Sequence, residues 1–327
     1  MLRPRLVLHI GTHKTGTSAL QGALDGARDT LLAHGLLYPD TRRPPWPELP
    51  KHCSVYQAAA SGDAVLQARE RDALLSEFDA SGAHTLLISE EGLSEPDERI
   101  PAFFAPLTDR FELEVVCLLR RQDLFVESLF NQFVREGARR ESRPILTFAR
   151  GRSTRDRLDY HALLSRWAAL GAHVQALDFD GPGARGPGLM AAFEHALKLP
   201  ALGLPDRRAN PSPDMRLALL LNRLNRQRIG YDLAPLLQAA RVMAQVGPPP
   251  LRHLLGSDER RRLLAEFETS NQRLAADFGV HFSADLPANE PAPAVEDLDV
   301  AYLLQLMAGL TLARPAQREA PQAAPQP

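Results

Sequence analysis

The stretch Leu6-Val7-Leu8-His9-Ile10-Gly11-Thr12-His13-Lys14-Thr15-Gly16-Thr17-Ser18-Ala19-Leu20 constrains this chain more than any other. An apolar run with β-branched residues meets a glycine, passes through a short polar loop and emerges into apolar residues at helical spacing. That order predicts strand, loop and helix. Glycines let the backbone curl, the first N–H groups of the helix lack intrahelical partners, and the helix dipole favours negative charge at that end. An anionic ligand is expected there.

Gly11 and Gly16 have the spacing of the Walker pattern G-x-x-x-x-G-K-[ST], and Ser18 sits where the hydroxyl belongs. The lysine does not fit: Thr17 occupies its position, and the loop's lysine, Lys14, precedes the second glycine by two residues. A Walker lysine reaches the β- and γ-phosphates of a triphosphate bound with Mg²⁺, so the displaced lysine suits a shorter donor. The run His13-Lys14-Thr15-Gly16-Thr17-Ser18 resembles the 5′-phosphosulfate loop of the sulfotransferases, which use 3′-phosphoadenosine 5′-phosphosulfate (PAPS).

With 327 residues, 44% of them hydrophobic, the chain can bury a sizeable core as one large or two modest domains. A net charge of −2 gives no global basic field, so no nucleic-acid partner is expected and any anion site must be local. Of the 38 basic residues only Lys14, Lys51 and Lys198 are lysines, which makes a lysine in the loop less a matter of chance. Cys53 and Cys117 lie far apart and without CxxC spacing, so neither a zinc site nor a disulfide framework is indicated. No run reaches the ~20 apolar residues of a membrane span and no long apolar segment precedes the loop, so neither a membrane span nor a cleaved signal is expected and a cytoplasmic protein is.

Further strands are predicted at Leu36 to Pro39, Thr85 to Ser89, Glu112 to Leu119 and Ala172 to Phe179, with helical patterns between them. The helical patterns include Leu20 to Leu31 closed by Gly35, Asp63 to Phe78 with Asp63 as N-cap, Asp123 to Arg135, Tyr160 to Leu170 and Met190 to Leu197. Prolines between Pro44 and Pro50 forbid regular structure, and the arginine-rich stretch to Arg157 shows no clear order. The alternation predicts an α/β fold with a parallel sheet. Beyond Pro200 the pattern turns helical (Met215 to Asn225, Ala234 to Val246, Asp258 to Phe278), and from Leu286 it is rich in Pro and Ala, with one helical candidate at Val300 to Leu312.

In Leu118-Leu119-Arg120-Arg121-Gln122-Asp123 a strand ends on Arg120, and Ser128 follows eight residues later inside the next helix. In sulfotransferases an arginine and a serine at that spacing hold the 3′-phosphate of PAPS; a guanidinium fork suits a phosphate, and a helical hydroxyl completes the cradle. From Arg120 to Arg157 there are ten arginines against five acids. Leu158-Asp159-Tyr160 with Trp167 and Gly171, and later Asn210-Pro211-Ser212-Pro213, are similar to the downstream pattern of bacterial sulfotransferase-family proteins, so the resemblance spans roughly residues 5 to 225. Gln122 departs from it, since the commoner form has proline there.

The pattern along the chain predicts a P-loop-type α/β domain over residues 1–200, a helical appendage packed on it over 201–285, and a Pro/Ala-rich segment over 286–327 whose tail, 315–327, is expected not to bury enough surface to fold. The resemblance bears on function. It implies a sulfotransferase that moves a sulfuryl group from PAPS to a hydroxyl or amine of an organic acceptor, without a metal. Lys14 would neutralise charge on the leaving oxygen; Thr15, Gly16, Thr17 and Ser18 would hold the 5′-phosphate; Arg120 and Ser128 would hold the 3′-phosphate. The general base is His52, after the second strand, or Glu91, after the third in a pattern resembling Ser-x-Glu. His13 could contact an anion, and Arg207 and Arg208 could close over the nucleotide. Two alternatives stay open: a P-loop kinase using ATP and Mg²⁺, and a non-catalytic module that binds nucleotide or glycan. The acceptor, whether saccharide, glycolipid or small phenol, is not legible in the residues.

Overall fold

In the computed structural model, five strands form one parallel sheet: β1 (Arg5–His9), β2 (Leu36–Leu37), β3 (Thr85–Ser89), β4 (Glu112–Leu119) and β5 (His173–Asp178), in the order β2-β3-β1-β4-β5. The structure describes residues 3–44, 46–185, 188–199, 214–246 and 250–287, with 302–304, 306, 307 and 310. The expected α/β fold with a parallel sheet is the one observed. β1 lies at the centre, between β3 and β4. The chain leaves it first toward β2 and β3 and then crosses to β4 and β5, and such a reversal opens a crevice at the carboxyl ends of the strands.

Side chains alternate across the sheet, so each strand supplies two cores. Leu6, Leu8, Leu86, Ile88, Leu113, Val115 and Cys117 face one side, where Val55, Leu74, Phe103, Phe104 and Trp167 cover them. Val7, Leu87, Val116 and Leu118 face the other, against Leu20 and Leu24 of helix Thr17–Gly26 and Phe193 of helix Leu189–Ala196. Strands buried on both faces are predominantly apolar, which is why they stand out in the sequence; the buried Glu114 of β4 is paired with Arg5 of β1.

Several elements differ from their expected bounds for local reasons. The pattern from Leu20 to Leu31 is two helices, Thr17–Gly26 and Arg28–Ala33, parted where Ala27 leaves helical geometry at φ −109°. The pattern from Asp258 to Phe278 likewise breaks at Phe267 (φ −113°) into Ser257–Ala265 and Glu268–Phe278. Asp63 caps helix Ala64–Ser81 as its position predicts, accepting from the N–H groups of Val65 and Leu66. The arginine-rich stretch holds helices Ile145–Arg150 and Arg152–Leu158, which bury Phe148 and Leu158 while the arginines turn outward to carboxylates: Arg150 and Arg155 to Glu266, Arg157 to Glu95.

By contact the chain divides into two units, Met1–Val126 with Ala149–Asn210 and Asp258–Leu286, and Glu127–Phe148 with Pro211–Ser257 and Pro287–Pro327. The helices after Pro200 therefore fall to both. In the first unit, buried Asp123 takes two hydrogen bonds from Arg121 (2.7 and 3.0 Å) and one from Arg260 (2.5 Å). Gln122 exchanges amide hydrogen bonds with Asn271 on helix Glu268–Phe278, at 2.7 and 3.2 Å, which is the use made of the position where proline is commoner. In the second unit, Asn222 donates to the carbonyls of Glu141 and Arg143, and Asn225 to those of Val134 and Glu141. Arg207, Arg208, the Asn210–Pro213 run and the tail lie outside the described residues. Among the described residues no helix is long and apolar enough to cross a membrane.

Candidate active site

The loop after β1 is fixed by conformation and by hydroxyls turned inward. Gly11, Lys14 and Gly16 all have positive φ (52°, 69° and 77°). Thr12 Oγ1 donates to the Leu118 carbonyl (3.0 Å), and Thr15 Oγ1 donates to the Thr12 carbonyl (2.7 Å), so these two hydroxyls brace the loop. Thr17 is buried, while Ser18 is exposed at the helix start. Helix Thr17–Gly26 begins without a side-chain cap and without an acidic residue in its first turn. Its first N–H groups have no intrahelical acceptor, which leaves the dipole's positive end available to an anion. Among the described residues no three His, Cys, Asp or Glu side chains are grouped to hold a metal.

Gly16 is where only glycine fits. A Cβ there would lie 2.5 Å from Leu189 Cδ2 and 3.3 Å from Phe179 Cε2, at a left-handed φ. Gly16→Ala is expected to cost about 1–3 kcal/mol, combining αL strain with overpacking. Urea unfolding checks the stability. An alanine variant of unchanged stability would contradict this account.

Two acidic residues meet a lysine at the end of β3. Lys51 Nζ donates to Glu90 Oε1 (3.2 Å) and to Glu91 Oε1 (2.8 Å), and Gln21 Nε2, on the helix after the loop, donates to Glu91 Oε2 (3.0 Å). Gly11 brings the loop against Glu91, because a Cβ on Gly11 would lie 3.3 Å from Glu91 Cβ. Burial pushes the Glu91 carboxyl up, but the charge and hydrogen bond of Lys51, the Gln21 amide and His13 outweigh it and draw it down to about 2. Glu90 goes the other way: it is 2% exposed, and burial together with the Glu91 charge raises it despite Lys51. Lys51 loses by burial and gains more from the two carboxylates, so its ammonium is held charged.

His52, the other candidate base, sits inside the protein. The Ser89 N–H donates to its Nδ1 (3.0 Å), its Nε2–H donates to the Pro39 carbonyl (3.1 Å), and its ring stands edge-on to Tyr38. Both ring nitrogens are thus committed to holding the end of β3. Burial lowers its pKa to about 4, and burial does the same to His9, whose Nδ1 meets Ser89 Oγ at 2.7 Å. The sign follows from the unfolded value of 6.5: the unfolded chain binds more protons below it, so each neutral histidine stabilises the fold above pH 6.5 and loses that contribution as pH falls toward 4, about 3 kcal/mol each. Over that window His52→Gln is expected to flatten the decline in unfolding free energy by about 1.4 kcal/mol per pH unit relative to the parent, as urea titrations at stepped pH would measure.

Arg120 emerges from the end of β4, half-buried, with its carbonyl accepting from Tyr160 Oη (2.6 Å). The downstream Leu158-Asp159-Tyr160 run serves this position: Asp159 caps helix Tyr160–Ala168 through the Ala162 N–H, and Tyr160 pins Arg120. Arg120 Nε–H donates to Asp180 Oδ2 at 2.8 Å, with its guanidinium 5.7 Å from the centre of the Phe179 ring. Ser128 is half-buried on helix Gln122–Arg135, in the second unit. His13 turns from the loop to Glu95 (3.3 Å), which Arg157 also binds.

The fold thus brings the loop, Glu91 and Lys51 together, with Phe179 beside both Gly16 of the loop and Arg120, and Asp180 on Arg120. Lys51, Gln21, Phe179 and Asp180 escape a sequence reading. Only Lys51 carried a signal, as one of three lysines among so many arginines.

No protein-family model and no curated protein matches the chain. Among solved structures it is similar to the crystal structure of a sulfotransferase from Alicyclobacillus acidocaldarius, with 17% identity, 74% of this chain and 100% of that chain covered, and a TM-score of 0.42. A likeness that weak carries no functional argument.

Proposed function

We propose that this protein is a PAPS-dependent sulfotransferase that moves a sulfuryl group to a hydroxyl, or to an amine, of an organic acceptor such as a saccharide or glycolipid. The observation that carries this reading is the loop, with its lysine two residues ahead of Gly16 at the uncapped start of a helix, beside a strand that is followed directly by Arg120. A turn in which Gly11, Lys14 and Gly16 take positive φ is of the kind whose successive N–H groups converge on an anion, so the loop fits a phosphosulfate.

PAPS supplies the activated sulfuryl group. The N–H groups of Thr15 to Ser18, with the hydroxyls of Thr17 and Ser18, hold the 5′-phosphate; Thr15 contributes its N–H alone, since its hydroxyl is given to Thr12. Lys14 offsets the charge that grows on the phosphate oxygen as its bond to sulfur breaks, an interaction strongest in the transition state. Arg120 takes the 3′-phosphate, and Ser128 is assigned to the same phosphate by resemblance. Glu91 accepts the proton that the acceptor loses as the new oxygen–sulfur bond forms. Its carboxylate is ionised at neutral pH, and Lys51 and Gln21 fix its orientation. His52 is then a positioning residue, since both its nitrogens are spent on backbone groups.

Calorimetric titration with 3′-phosphoadenosine 5′-phosphate (PAP), without metal, tests the reading. Binding clearly tighter than that of 5′-AMP is expected, since only PAP offers a phosphate to Arg120. Binding of ATP with Mg²⁺ and none of PAP would instead place the loop with the kinases.

A further inference from the structure

We propose that Asp180 is a built-in competitor for the 3′-phosphate site: the protein's own anion holds Arg120 until the nucleotide displaces it, and helps to expel the spent nucleotide afterwards. The proposal rests on the donor reading above.

The pair is placed by the fold. Arg120 and Asp180 stand sixty residues apart in sequence and meet because β4 and β5 run side by side, with Leu119 opposite Asp178. Beyond the paired strands the Phe179 N–H donates to the Leu119 carbonyl (2.7 Å), which fixes the next residues against Arg120. A tight turn then sets the carboxylate: the Asp180 N–H donates to Asp178 Oδ1 (3.1 Å), and the Gly181 N–H donates to the Asp178 carbonyl (3.1 Å). A Cβ on Gly181 would lie 2.9 Å from Asp178 Oδ2, so the turn has no room for a side chain there. Arg120 and Asp180 are largely withdrawn from solvent, with side chains 22% and 12% exposed, so the ion pair is incompletely screened. The same short segment touches the loop, since the Phe179 ring closes on Gly16.

The chemistry follows from charge. A carboxylate and a phosphate both accept from a guanidinium, and beside one Arg120 they repel each other in a partly buried site. A nucleotide bearing a 3′-phosphate brings more charge and more acceptor oxygens than one carboxylate, so it wins the guanidinium. A nucleotide without that phosphate leaves the pair intact. The donor and the spent nucleotide carry the same 3′-phosphate, so every contact that secures the donor also retains the product. A competitor on Arg120 weakens both equally and shortens the residence of the product, the step that limits turnover in many enzymes.

Asp180→Asn keeps the shape and removes the charge. It is expected to tighten PAP binding roughly three- to tenfold, the size of one partly buried ion pair, with the change in the dissociation rate. Binding of 5′-AMP should be unchanged, and that ligand certifies that the variant's loop is folded. In an Arg120→Ala background the gain should shrink. Asp180→Ala provides a second variant with the same expectation. PAP affinity that stays the same or weakens, while 5′-AMP binding is intact, would overturn the proposal, and weakening would make Asp180 a positioning residue for Arg120. Absence of PAP binding by the parent protein would instead overturn the donor reading itself.

Discussion

On the proposed donor reading, Lys14→Met is expected to lower the rate of sulfuryl transfer on the order of 10²- to 10³-fold while leaving the fold intact. The magnitude is that of removing one preorganised charge from a developing oxyanion. Methionine keeps most of the side-chain volume and carries the same left-handed backbone strain at φ 69°, so the difference isolates the ammonium. Because negative charge on the phosphate oxygen peaks in the transition state, the loss should fall mainly on kcat, with a smaller rise in KM for the donor. No acceptor is needed for the measurement: release of sulfate and PAP from PAPS, with water as acceptor, breaks the same bond. A variant that hydrolyses PAPS as the parent does would remove Lys14 from the leaving-group role.

Asp123→Ala is expected to be among the most destabilising single changes in the chain, by about 3–5 kcal/mol, because it leaves guanidinium charge buried without its partner. Asp123 is 0% exposed and Arg260 1% exposed, and Arg121 holds the same carboxylate through two hydrogen bonds. Arg121 also donates to the carbonyls of Ser283 and Asp285, so the cluster ties the segment after helix Glu268–Phe278 to the end of β4. Arg260→Met should cost less, since Asp123 then keeps its bidentate partner and the methionine fills the space. Urea unfolding of the two variants gives the comparison, and equal costs would show that the cluster is not organised around Asp123.

Much of the frame was legible in the chain. β3 and β4 fall at their expected bounds, because strands buried on both faces are mostly apolar, and Asp63 caps its helix because an aspartate beside free N–H groups acts within a few residues. The helices around Phe148 and Leu158 were not legible, since their arginines hide the apolar face until Glu95 and Glu266 are brought opposite them.

The candidate site divides in the same way. By itself the sequence determined the strand, the glycines and the lysine of the loop, and an arginine at a strand end, since these follow from backbone conformation and from periodicity over a few residues. Only the tertiary structure decided that His52 is turned inward onto Pro39 and Ser89, that Lys51 and Gln21 hold Glu91 beside Gly11, and that Asp180 lies on Arg120. Each of those outcomes joins residues many positions apart. Their encounter depends on strand order and on burial, and no local pattern of residues encodes either.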